Sequence, residues 1–540
     1  MSDQGAGGGA GGVQRAWRAA CTFCGAPVEF RSAASPMAVC SFCKSTLVRD
    51  GESLRRIGQS AALFDDHSPL ALGARGQHQG EAFTLIGRLQ LAYKDDAGEE
   101  GRWTEWHALF DNGRSGALSE DNGAYVMAFA LQPSQALPLR ELTQAPIGQG
   151  VIIDSRPWVL SSRVQAHTHA AEGELAIKPD FTRAFTVLEL RNTAGEVLSI
   201  ELDPAAEGTQ ARLDVGRSVQ LADLRLSGIP DAKQAAEGKL QAKGIECPNC
   251  GTSLTPTLDS AQSIVCTSCK SVIDISKGLG GDLAFYRQDN TLEPLIPLGK
   301  VGTLKVGGKA DNWQVVGYQE RCDIPEDQHE EQTFWREYLL YNRMQGFAFL
   351  VDAEDGWSIV RPVTGVPAVK GDTLVYQGKT YRKRYTYPAK TTYVLGEFYW
   401  PVRKEQRTLN TDFAGQGNNS ALRLNREQTG NEITWSAGET IEAQAVMSAF
   451  QISKQAVGAF KRDATPMSPE TRKWVTQLMW ILLFLFIVFL LQKCSDDCSD
   501  VRDNYGEYST EYRQCRASQG SGSSSHGGSY GGYNSGGFHK

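Results

Sequence analysis

The sequence predicts a mostly β protein made of two tandem copies of one unit, each a zinc ribbon followed by a β-rich domain, then one transmembrane helix and a disordered tail. Three observations lead to this fold class. A frame of four cysteines occurs twice, other motifs recur behind it in the same order, and short runs of alternating apolar and polar residues fill both copies. The chain has 540 residues, 41% of them apolar, which is enough for several domains of ordinary size.

The two cysteine frames have the spacing of a metal site. Each reads Cys-x2-Cys-x15-Cys-x2-Cys, in which each Cys-x-x-Cys turn directs two thiolates at one ion and the two turns complete a tetrahedron. We therefore expect two structural zinc ions per chain, with these ligands: Cys21, Cys24, Cys40 and Cys43 in the first copy and Cys247, Cys250, Cys266 and Cys269 in the second. Disulfides and thiol redox chemistry are the alternatives, and a reducing compartment and the matched pairs disfavour both. Four sulfurs leave no open position for a reacting water, so the metal should not be catalytic.

Recurring motifs show how far the duplication extends. The cysteines return with an offset of 226 residues, together with the glycine after the first pair and the Lys-Ser after the second. Behind them FTLIGR matches WQVVGY, the W-T-E at Trp103 matches the W-R-E at Trp335, and the G-E-L at Gly173 matches the G-E-F at Gly396. The offsets range from 222 to 233 because the loops differ in length.

The domain boundaries follow from these matches and from changes in composition. The predicted order is a flexible leader 1–16, zinc ribbon 17–50, β-rich domain 60–228, linker 229–243, zinc ribbon 244–276, β-rich domain 282–450, linker 451–473, transmembrane helix 474–491 and disordered Gly/Ser-rich tail 492–540. The β-rich domains have short alternating strands separated by Gly and Asp turns, as in a sandwich or a small barrel. The usual nucleotide-binding frameworks are disfavoured, because no glycine-rich phosphate loop followed by Lys-Ser/Thr occurs.

A Trp-x-Glu motif is the most specific polar feature that both copies share. On a strand, Trp103 and Glu105 share one face, while Trp106 and its neighbours on the other face should form the core. Together with Trp335 and Glu337, they form a candidate binding face, since an aromatic ring beside a carboxylate can hold a cation or an amine. The simpler interpretation is structural, with the tryptophan covering a sheet edge and the glutamate paired with a nearby arginine or lysine.

Histidines give little support for an enzyme. His167 and His169 align with Lys390 and Thr392 in the second copy, and His107 aligns with Leu339. A duplicated active site should keep its titratable residues in both copies, so we expect no catalytic residues. The alternative is an enzyme with its active site in the first β-rich domain only, in which case these three histidines are the candidates.

The predicted membrane segment is the apolar stretch from Trp474 to Leu491. Its 18 residues are about the length that crosses a bilayer core. Five basic residues precede it within twenty positions and two follow, so the positive-inside rule places the N-terminal part in the cytoplasm and the tail outside, in a single-pass protein of the inner membrane. The tail contains Cys494, Cys498 and Cys515, an odd number in a compartment that permits disulfides; one pair within the tail is an open alternative.

The overall charge makes nucleic acid an unlikely partner. The net charge is −7 and the pI is near 5.8, whereas nucleic-acid binders normally carry a basic footprint. A nucleic-acid-binding zinc-ribbon protein is therefore only a second alternative. An acidic chain better suits a basic protein segment or a polyamine.

The order of these features resembles that of bacterial proteins of the domain-of-unknown-function 4178 family. The matching residues are Trp103, Glu105 and Trp106 in the first copy and Trp335, Glu337 and Tyr338 in the second. The resemblance implies a membrane-associated protein without an assigned activity, encoded beside polyamine-synthase-like enzymes and small membrane proteins. With the motifs, it leads us to expect a membrane-anchored, zinc-stabilised binding or scaffold protein, in a membrane-stress or polyamine-linked system, whose partner is an unidentified protein or a cationic ligand.

Overall fold

The computed structural model describes most of the chain from Trp17 to Ser518. The described residues are 17–32, 35–50, 53–59, 68–94, 100–121, 123–177, 180–202, 211–229, 245–258, 261–275, 283–288, 293–325, 332–402, 405–452, 460 and 498–518. The predicted leader, most of the two predicted linkers and the predicted transmembrane helix lie outside these ranges.

The secondary structure is mostly β, as the sequence predicts. The strands of the first copy are β1 (Trp17–Ala20), β2 (Pro27–Phe30), β3 (Met37–Val39), β4 (Ser45–Asp50), β5 (Ser53–Gln59), β6 (Arg75–His78), β7 (Glu81–Lys94), β8 (Glu100–Phe110), β9 (Ser115–Asp121), β10 (Ala124–Ala130), β11 (Gly150–Ile153), β12 (Arg156–Leu175), β13 (Phe185–Arg191), β14 (Glu196–Leu202) and β15 (Ala211–Val219).

The second copy repeats this series after the linker. Its strands are β16 (Ile245–Glu246), β17 (Ser253–Leu254), β18 (Ser263–Val265), β19 (Val272–Asp274), β20 (Phe285–Tyr286), β21 (Val301–Val306), β22 (Lys309–Asp323), β23 (Phe334–Asn342), β24 (Gly346–Ala353), β25 (Gly356–Val363), β26 (Ala368–Lys370), β27 (Thr373–Tyr376), β28 (Lys379–Phe398), β29 (Arg407–Gly415), β30 (Leu422–Thr429) and β31 (Glu432–Ile441). The described helices are short: α1 (Leu139–Gln144), α2 (Ala443–Ala449), α3 (Ser499–Tyr505), α4 (Thr510–Ser518) and 3-10 turns at Leu221–Leu224 and Gly417–Asn419.

Eight antiparallel strands close into a barrel in each copy. Barrel 1 runs in the order β7, β8, β9, β10, β15, β14, β13, β12 and back to β7. Barrel 2 has the same order with β22, β23, β24, β25, β31, β30, β29 and β28. Of the two predicted alternatives, the small barrel is therefore the correct one, and the duplication extends to the strand order.

Local turn chemistry explains how the first strand of each ring begins. A two-residue turn with positive φ at both residues joins β6 to β7 at Gln79 and Gly80, and a turn of the same kind joins β21 to β22 at Gly307 and Gly308. Such turns match the twist of antiparallel strands and so fix the register of the hairpin.

The outer surfaces of the barrels are apolar and covered. Trp106, Phe110 and Met127 of barrel 1 pack under residues of the segments 70–74 and 221–224, and Leu188 and Leu198 pack under α1. In barrel 2, the outer face at Phe413 and Trp435 packs under the β26–β27 hairpin. Because the apolar side of these strands faces outward, the other side, which carries the Trp-x-Glu motif, faces the barrel interior.

A small cysteine module precedes each barrel and joins its longest strand. Cys module 1 (residues 17–59) holds the β1–β2 hairpin and strands β3 to β5, and Cys module 2 (residues 245–288) holds β16 to β20. Strand β3 pairs with the end of β12, and β18 pairs with the end of β28. Each module thus extends the sheet of its own barrel.

Both copies belong to one compact unit that spans residues 1–462. Ser162 on β12 pairs with Glu432 on β31, and the Arg361 Nη2 donates to the Gln220 Oε1 at 3.0 Å. The two barrels are therefore in direct contact.

The C-terminal unit, residues 463–536, is described only at residues 498–518. There α3 and α4 lie side by side, and a disulfide joins Cys498 to Cys515. The prediction of a disordered tail over 492–540 does not hold at residues 498–518, where two short helices and a disulfide are present. Within the part of the chain that the structure describes, no helix has the length and apolar character needed to cross a bilayer.

Candidate functional site

The predicted metal ligands come together in two clusters of four sulfurs. Within each cluster the Sγ atoms lie within 4.8 Å of one another. The Sγ atoms of Cys21 and Cys43 are 3.7 Å apart, and those of Cys250 and Cys266 are 3.6 Å apart. Metal–sulfur bonds of 2.3 Å in a tetrahedron require an edge of about 3.8 Å, so the spacing fits one ion in each cluster. All eight thiols are free cysteines rather than disulfides.

Backbone geometry explains the residues that recur after each cysteine pair. Gly25, Lys44, Gly251 and Lys270 all have φ between 55° and 75°, the left-handed region. Each donates its N–H to the carbonyl of the first cysteine of its pair, at 2.8 to 3.0 Å. This conformation turns the chain back so that both thiolates of the pair face the same point. The glycine and lysine that recur after the cysteine pairs therefore indicate, in the sequence, turns of this conformation.

Recurring serines lie beside one sulfur of each cluster. The Ser45 hydroxyl is 3.2 Å from the Cys43 Sγ, and the Ser271 hydroxyl is 3.3 Å from the Cys269 Sγ. A hydroxyl can donate to a thiolate, which stabilises the charged form that a metal requires. The two clusters could therefore hold metal ions, and this serine contact is common to both.

One glutamate in each copy fastens the cysteine module to its barrel. The carboxylate of Glu174, on β12, accepts the backbone N–H groups of Arg31 and Ser32, the second at 3.0 Å. The carboxylate of Glu397, on β28, accepts those of Thr257 at 2.8 Å and Leu258 at 2.5 Å. These are the glutamates of the recurring G-E-L and G-E-F motifs, whose role the sequence did not reveal.

The glycine before each of these glutamates permits a close crossing of strands. Gly173 has a φ of +72°, and a Cβ there would lie 2.4 Å from the carbonyl oxygen of Ile86 on β7. Gly396 has a φ of +87°, and its Cβ would lie 2.3 Å from the carbonyl oxygen of Val316 on β22. The recurrence of glycine therefore reflects the space and backbone conformation needed where β12 or β28 leaves the barrel toward the cysteine module.

The interior of barrel 1 holds a charged cluster that includes the first Trp-x-Glu motif. The Trp103 Nε1 donates to the Glu105 Oε1 at 3.1 Å, and the Arg212 Nη2 lies 3.6 Å from the Glu105 Oε2. Arg212 also pairs with Glu201 at 2.6 Å and with Asp214 at 2.9 Å. Arg212 and Glu105 belong to strands three positions apart in the ring, and side chains on the outside of a barrel diverge, so this contact lies inside.

The interior of barrel 2 holds the second motif in an equivalent cluster. The Trp335 Nε1 donates to the Glu337 Oε1 at 2.7 Å, and the Gln319 Nε2 donates to the Glu337 Oε2 at 2.6 Å. The Arg321 Nη1 lies 3.4 Å from Glu337 and 2.9 Å from Glu427. Each barrel therefore encloses an arginine between two glutamates, beside a tryptophan.

The two interiors differ in their access to solvent. Trp335 and Glu337 are each 1% exposed, and the Arg321 side chain is 4% exposed. In barrel 1 the Arg212 side chain is 30% exposed. The prediction that all four motif residues lie on one partner-binding face needs correction for Trp335 and Glu337, because burial leaves them no surface for a protein partner. For Trp103 and Glu105 a ligand-binding role stays a prediction.

A second polar group lies deeper in barrel 2. The Tyr387 hydroxyl donates to the Asp412 Oδ2 at 2.7 Å, and the Asn425 Nδ2 donates to the Asp412 Oδ1 at 2.7 Å. Burial raises the pKa of Asp412 to about 8 in spite of these two hydrogen bonds. A carboxyl group with this pKa is largely protonated at neutral pH.

The candidate histidines occupy different places in barrel 1. His107 is buried, and burial lowers its pKa. Its Nδ1 lies 3.0 Å from the Glu174 carbonyl oxygen, which can only accept, and its Nε2 lies 3.0 Å from the Ser115 Oγ. His167 and His169 lie on β12, where His167 is exposed and His169 is half-buried. His107 therefore lies beside the strand crossing near the cysteine module.

Comparison with known proteins identifies the family. The model of the domain of unknown function DUF4178 matches residues 71–220 and 300–443, more than half of the chain and one match in each copy. The two matches cover most of barrel 1 and barrel 2. The chain is thus a tandem-barrel protein, and it belongs to the DUF4178 family.

Other comparisons add no function. No curated protein matches the chain. Solved structures that match include MucB in complex with MucA(peri), at 12% identity over 68% of this chain and 92% of the other, with a TM-score of 0.09. A protein of unknown function from the DUF3598 family of Nostoc punctiforme PCC 73102 matches at 8% identity over 70% and 98%, with a TM-score of 0.12.

Proposed function

We propose that this protein is a membrane-anchored, zinc-stabilised binding protein, and that the interior of barrel 1 is its site for an organic cation. The observation that carries the proposal is the partly exposed cluster of three carboxylates, Glu105, Glu201 and Asp214, that share Arg212 among the described residues. Trp103 adds an aromatic face beside Glu105. A ligand with two or more ammonium groups, such as a polyamine, supplies the positive charge that this cluster lacks.

Protonation of the cluster should couple to ligand binding. Burial raises the pKa of Glu201 to about 8, against the opposing effect of Arg212. An entering cation favours the ionised carboxylate, so binding releases a proton and becomes tighter as the pH rises toward that value.

Zinc is the ion we assign to both clusters, and each Cys module is then a zinc ribbon. Four thiolates at the edge length of a tetrahedron are the donor set and geometry of structural zinc sites. With four sulfurs around it the ion has no vacant position, so its role is to stabilise the module.

The membrane anchor remains the segment 474–491, with the ribbons and barrels in the cytoplasm. The support is its apolar length and the excess of basic residues before it. A reporter that is active only outside the cytoplasm, fused after His539, should give signal. Signal from an N-terminal fusion instead would reverse the orientation.

The binding proposal is tested with spermidine as the probe. The full chain in detergent should bind it by calorimetry, more tightly at pH 8.5 than at pH 6.5, and Glu105→Gln should weaken binding about tenfold. The control is Asp372→Asn, an exposed carboxylate of barrel 2, which should leave binding unchanged. Equal binding by Glu105→Gln and the unaltered chain, with metal content and circular dichroism unchanged, would refute the assignment of the site.

An enzyme in the first β-rich domain is the second candidate, and one contact favours it. Because the Glu174 carbonyl requires a proton on the His107 Nδ1, the Nε2 can accept the proton of the Ser115 hydroxyl. A serine activated by a histidine is the core of acyl-transfer sites. Labelling by a fluorophosphonate that Ser115→Ala abolishes would support this candidate, and absence of labelling in the folded chain would remove it.

A further inference from the structure

The two cysteine modules differ most at the tips of their cysteine turns. In Cys module 1 the third residue of each turn is a phenylalanine, and Phe23 and Phe42 are 60% and 73% exposed. The corresponding residues of Cys module 2 are Asn249 and Ser268. Large apolar side chains are not needed for the sulfur cluster, because the second module forms the same cluster without them.

The two phenylalanines lie at the same end of the module. Each belongs to a turn whose cysteines enter one cluster, in which all four sulfurs lie within 4.8 Å. Phe23 directly precedes Cys24, and Phe42 directly precedes Cys43. They therefore flank one point on the surface.

An arginine completes this surface. The guanidinium of Arg56, an exposed residue of β5, lies 4.1 Å from the centre of the Phe23 ring. The neighbouring Arg55 is also exposed, on the other face of that strand. Residues 17–50 contain four basic and two acidic residues, whereas residues 244–276 contain one basic and three acidic residues. An arginine also lies at the tip of Cys module 2, where the Arg287 Nη2 donates to the Asn249 Oδ1 at 2.7 Å. What distinguishes Cys module 1 is therefore the combination of exposed rings with an excess of basic residues.

We propose that Phe23, Phe42 and Arg56, the Phe-Arg tip, form a docking site for an acidic segment of a partner protein that carries apolar anchor residues. Exposed aromatic rings with a neighbouring arginine have the composition of protein-interface hot spots. The arginine matches carboxylates in charge, and the rings offer apolar area to an anchor side chain. This site goes beyond the proposed cation site, which lies inside barrel 1 and involves none of these residues.

The charge of the whole chain favours a short segment over an extended polyanion. A nucleic acid or an anionic membrane presents negative charge well beyond the tip and meets a chain of net charge −7. A short acidic segment contacts only the tip, so it gains the local attraction without the wider repulsion. Arginine rather than lysine at the exposed position also suits planar carboxylates.

The test uses the full chain in detergent and a fluorescein-labelled peptide of twelve alternating Glu and Tyr residues. The peptide should bind, and the double variant Phe23→Asn, Phe42→Ser should weaken binding at least tenfold. These are the residues that Cys module 2 carries at the same positions, so the variant should keep its metal, measured by elemental analysis. Arg56→Gln should weaken binding and reduce its dependence on salt, whereas Arg55→Gln, on the other face of β5, should weaken it less.

The reciprocal change provides a gain-of-function arm. Asn249→Phe with Ser268→Phe, added to the double variant, places two rings beside Arg287, which donates to Asn249 in the unaltered chain, and should restore part of the peptide binding. Peptide binding that survives the loss of Phe23 and Phe42 in the metal-loaded protein would overturn the proposal. Tighter and tip-dependent binding of a twelve-nucleotide single-stranded DNA, or of phosphatidylglycerol vesicles, would also overturn it, because either would identify a different class of partner.

Discussion

At the scale of single residues, the charged cluster of each barrel is centred on one arginine that comes from a different strand in each copy. Arg212 lies on β15 opposite Glu201, and the residue in its place in barrel 2 is Thr434, opposite Glu427. Arg321 lies on β22 opposite Trp335, and the residue in its place in barrel 1 is Leu91. The two copies therefore keep the same neighbours for the glutamates by different sequence changes.

This exchange predicts a rescue. Arg321→Leu should destabilise barrel 2 by about 3–5 kcal/mol, because it leaves two buried carboxylates without their cation. Adding Thr434→Arg, which copies the arrangement of barrel 1, should recover a substantial part of that loss. The measurement is the free energy of unfolding in urea.

The control for the rescue is Thr434→Gln in the same background, which adds length without charge. If glutamine recovers as much stability as arginine, the two clusters are not equivalent and the recovery comes from packing.

Asp412 predicts a dependence of stability on pH. Its pKa is about 8 in the folded protein and about 3.9 in an unfolded chain, so the folded state binds more protons between these values. The contribution of this residue to stability is therefore present at low pH and is lost as the pH rises toward 8, with a limiting slope of about 1.4 kcal/mol per pH unit. Unfolding of the unaltered chain and of Asp412→Asn, measured from pH 5 to pH 8.5, should show a weaker decline in the variant.

Exposed Asp372 serves as the comparison, since Asp372→Asn should leave the pH dependence as it is. An identical pH slope for Asp412→Asn and the unaltered chain would mean that Asp412 is ionised throughout this range.

The sequence predicted the residues of the clusters unequally well. The eight cysteines could be found because the ligands of each cluster lie within 23 residues, in two short turns of fixed spacing. Trp103 and Glu105 could be found because they recur. Arg212 and Arg321 could not, because neither recurs in the other copy, and the contacts of Arg212 with Glu105 and of Arg321 with Glu427 join strands that only the barrel brings together.

At the scale of elements, the long strand of each barrel passes through a crossing that admits only glycine and then joins the cysteine module. Gly173→Ala should distort this crossing, because its Cβ would lie 2.4 Å from the carbonyl oxygen of Ile86. Gly195 has nearly the same φ, +75° against +72°, but no atom lies within 4 Å of its Cβ position. Gly195→Ala should therefore cost only the backbone strain of about 1–2 kcal/mol, and Gly173→Ala more than that.

Urea unfolding measures the difference, and limited proteolysis between residues 17 and 59 shows whether the module has detached. Equal losses of stability in the two variants would indicate that the backbone conformation alone, and not the close crossing, requires glycine at Gly173.

The elements themselves were largely predictable, and their closure was not. Alternating residues identify strands such as β7 and β8, because one side of each strand is buried against apolar neighbours. Alternation does not say whether the first and last strands of a sheet meet, and this pairing of β7 with β12 distinguishes a barrel from a sandwich. The orientation of the face that carries the Trp-x-Glu motif was also misjudged. In a barrel whose outer side is covered by apolar residues, the polar side of a strand points inward.

At the scale of the whole molecule, two clusters of four cysteines lie in two modules that each dock on a separate barrel. We expect two zinc ions per chain by elemental analysis of protein purified without chelator under reducing conditions. Cys24→Ser should remove one ion and leave the other, because the two clusters share no ligand.

Loss of both ions from Cys24→Ser would show that the two modules fold as one cooperative system. Near-zero zinc in the unaltered protein, with all eight thiols reduced, would contradict the assignment of the metal.

The attachment of the first cysteine module has a consequence for the order of events during synthesis. Arg31 donates to Glu174, which is made 143 residues later. At about 5–20 residues per second, the ribosome needs roughly 7–30 s to reach Glu174 after it has added Arg31. During this interval the module cannot dock on its barrel. A bound ion would then be what stabilises its cysteine turns, and until one binds its four thiols are exposed to solvent. On the proposed zinc assignment, the module can be stabilised before the first barrel exists only where its thiols stay reduced and metal is available.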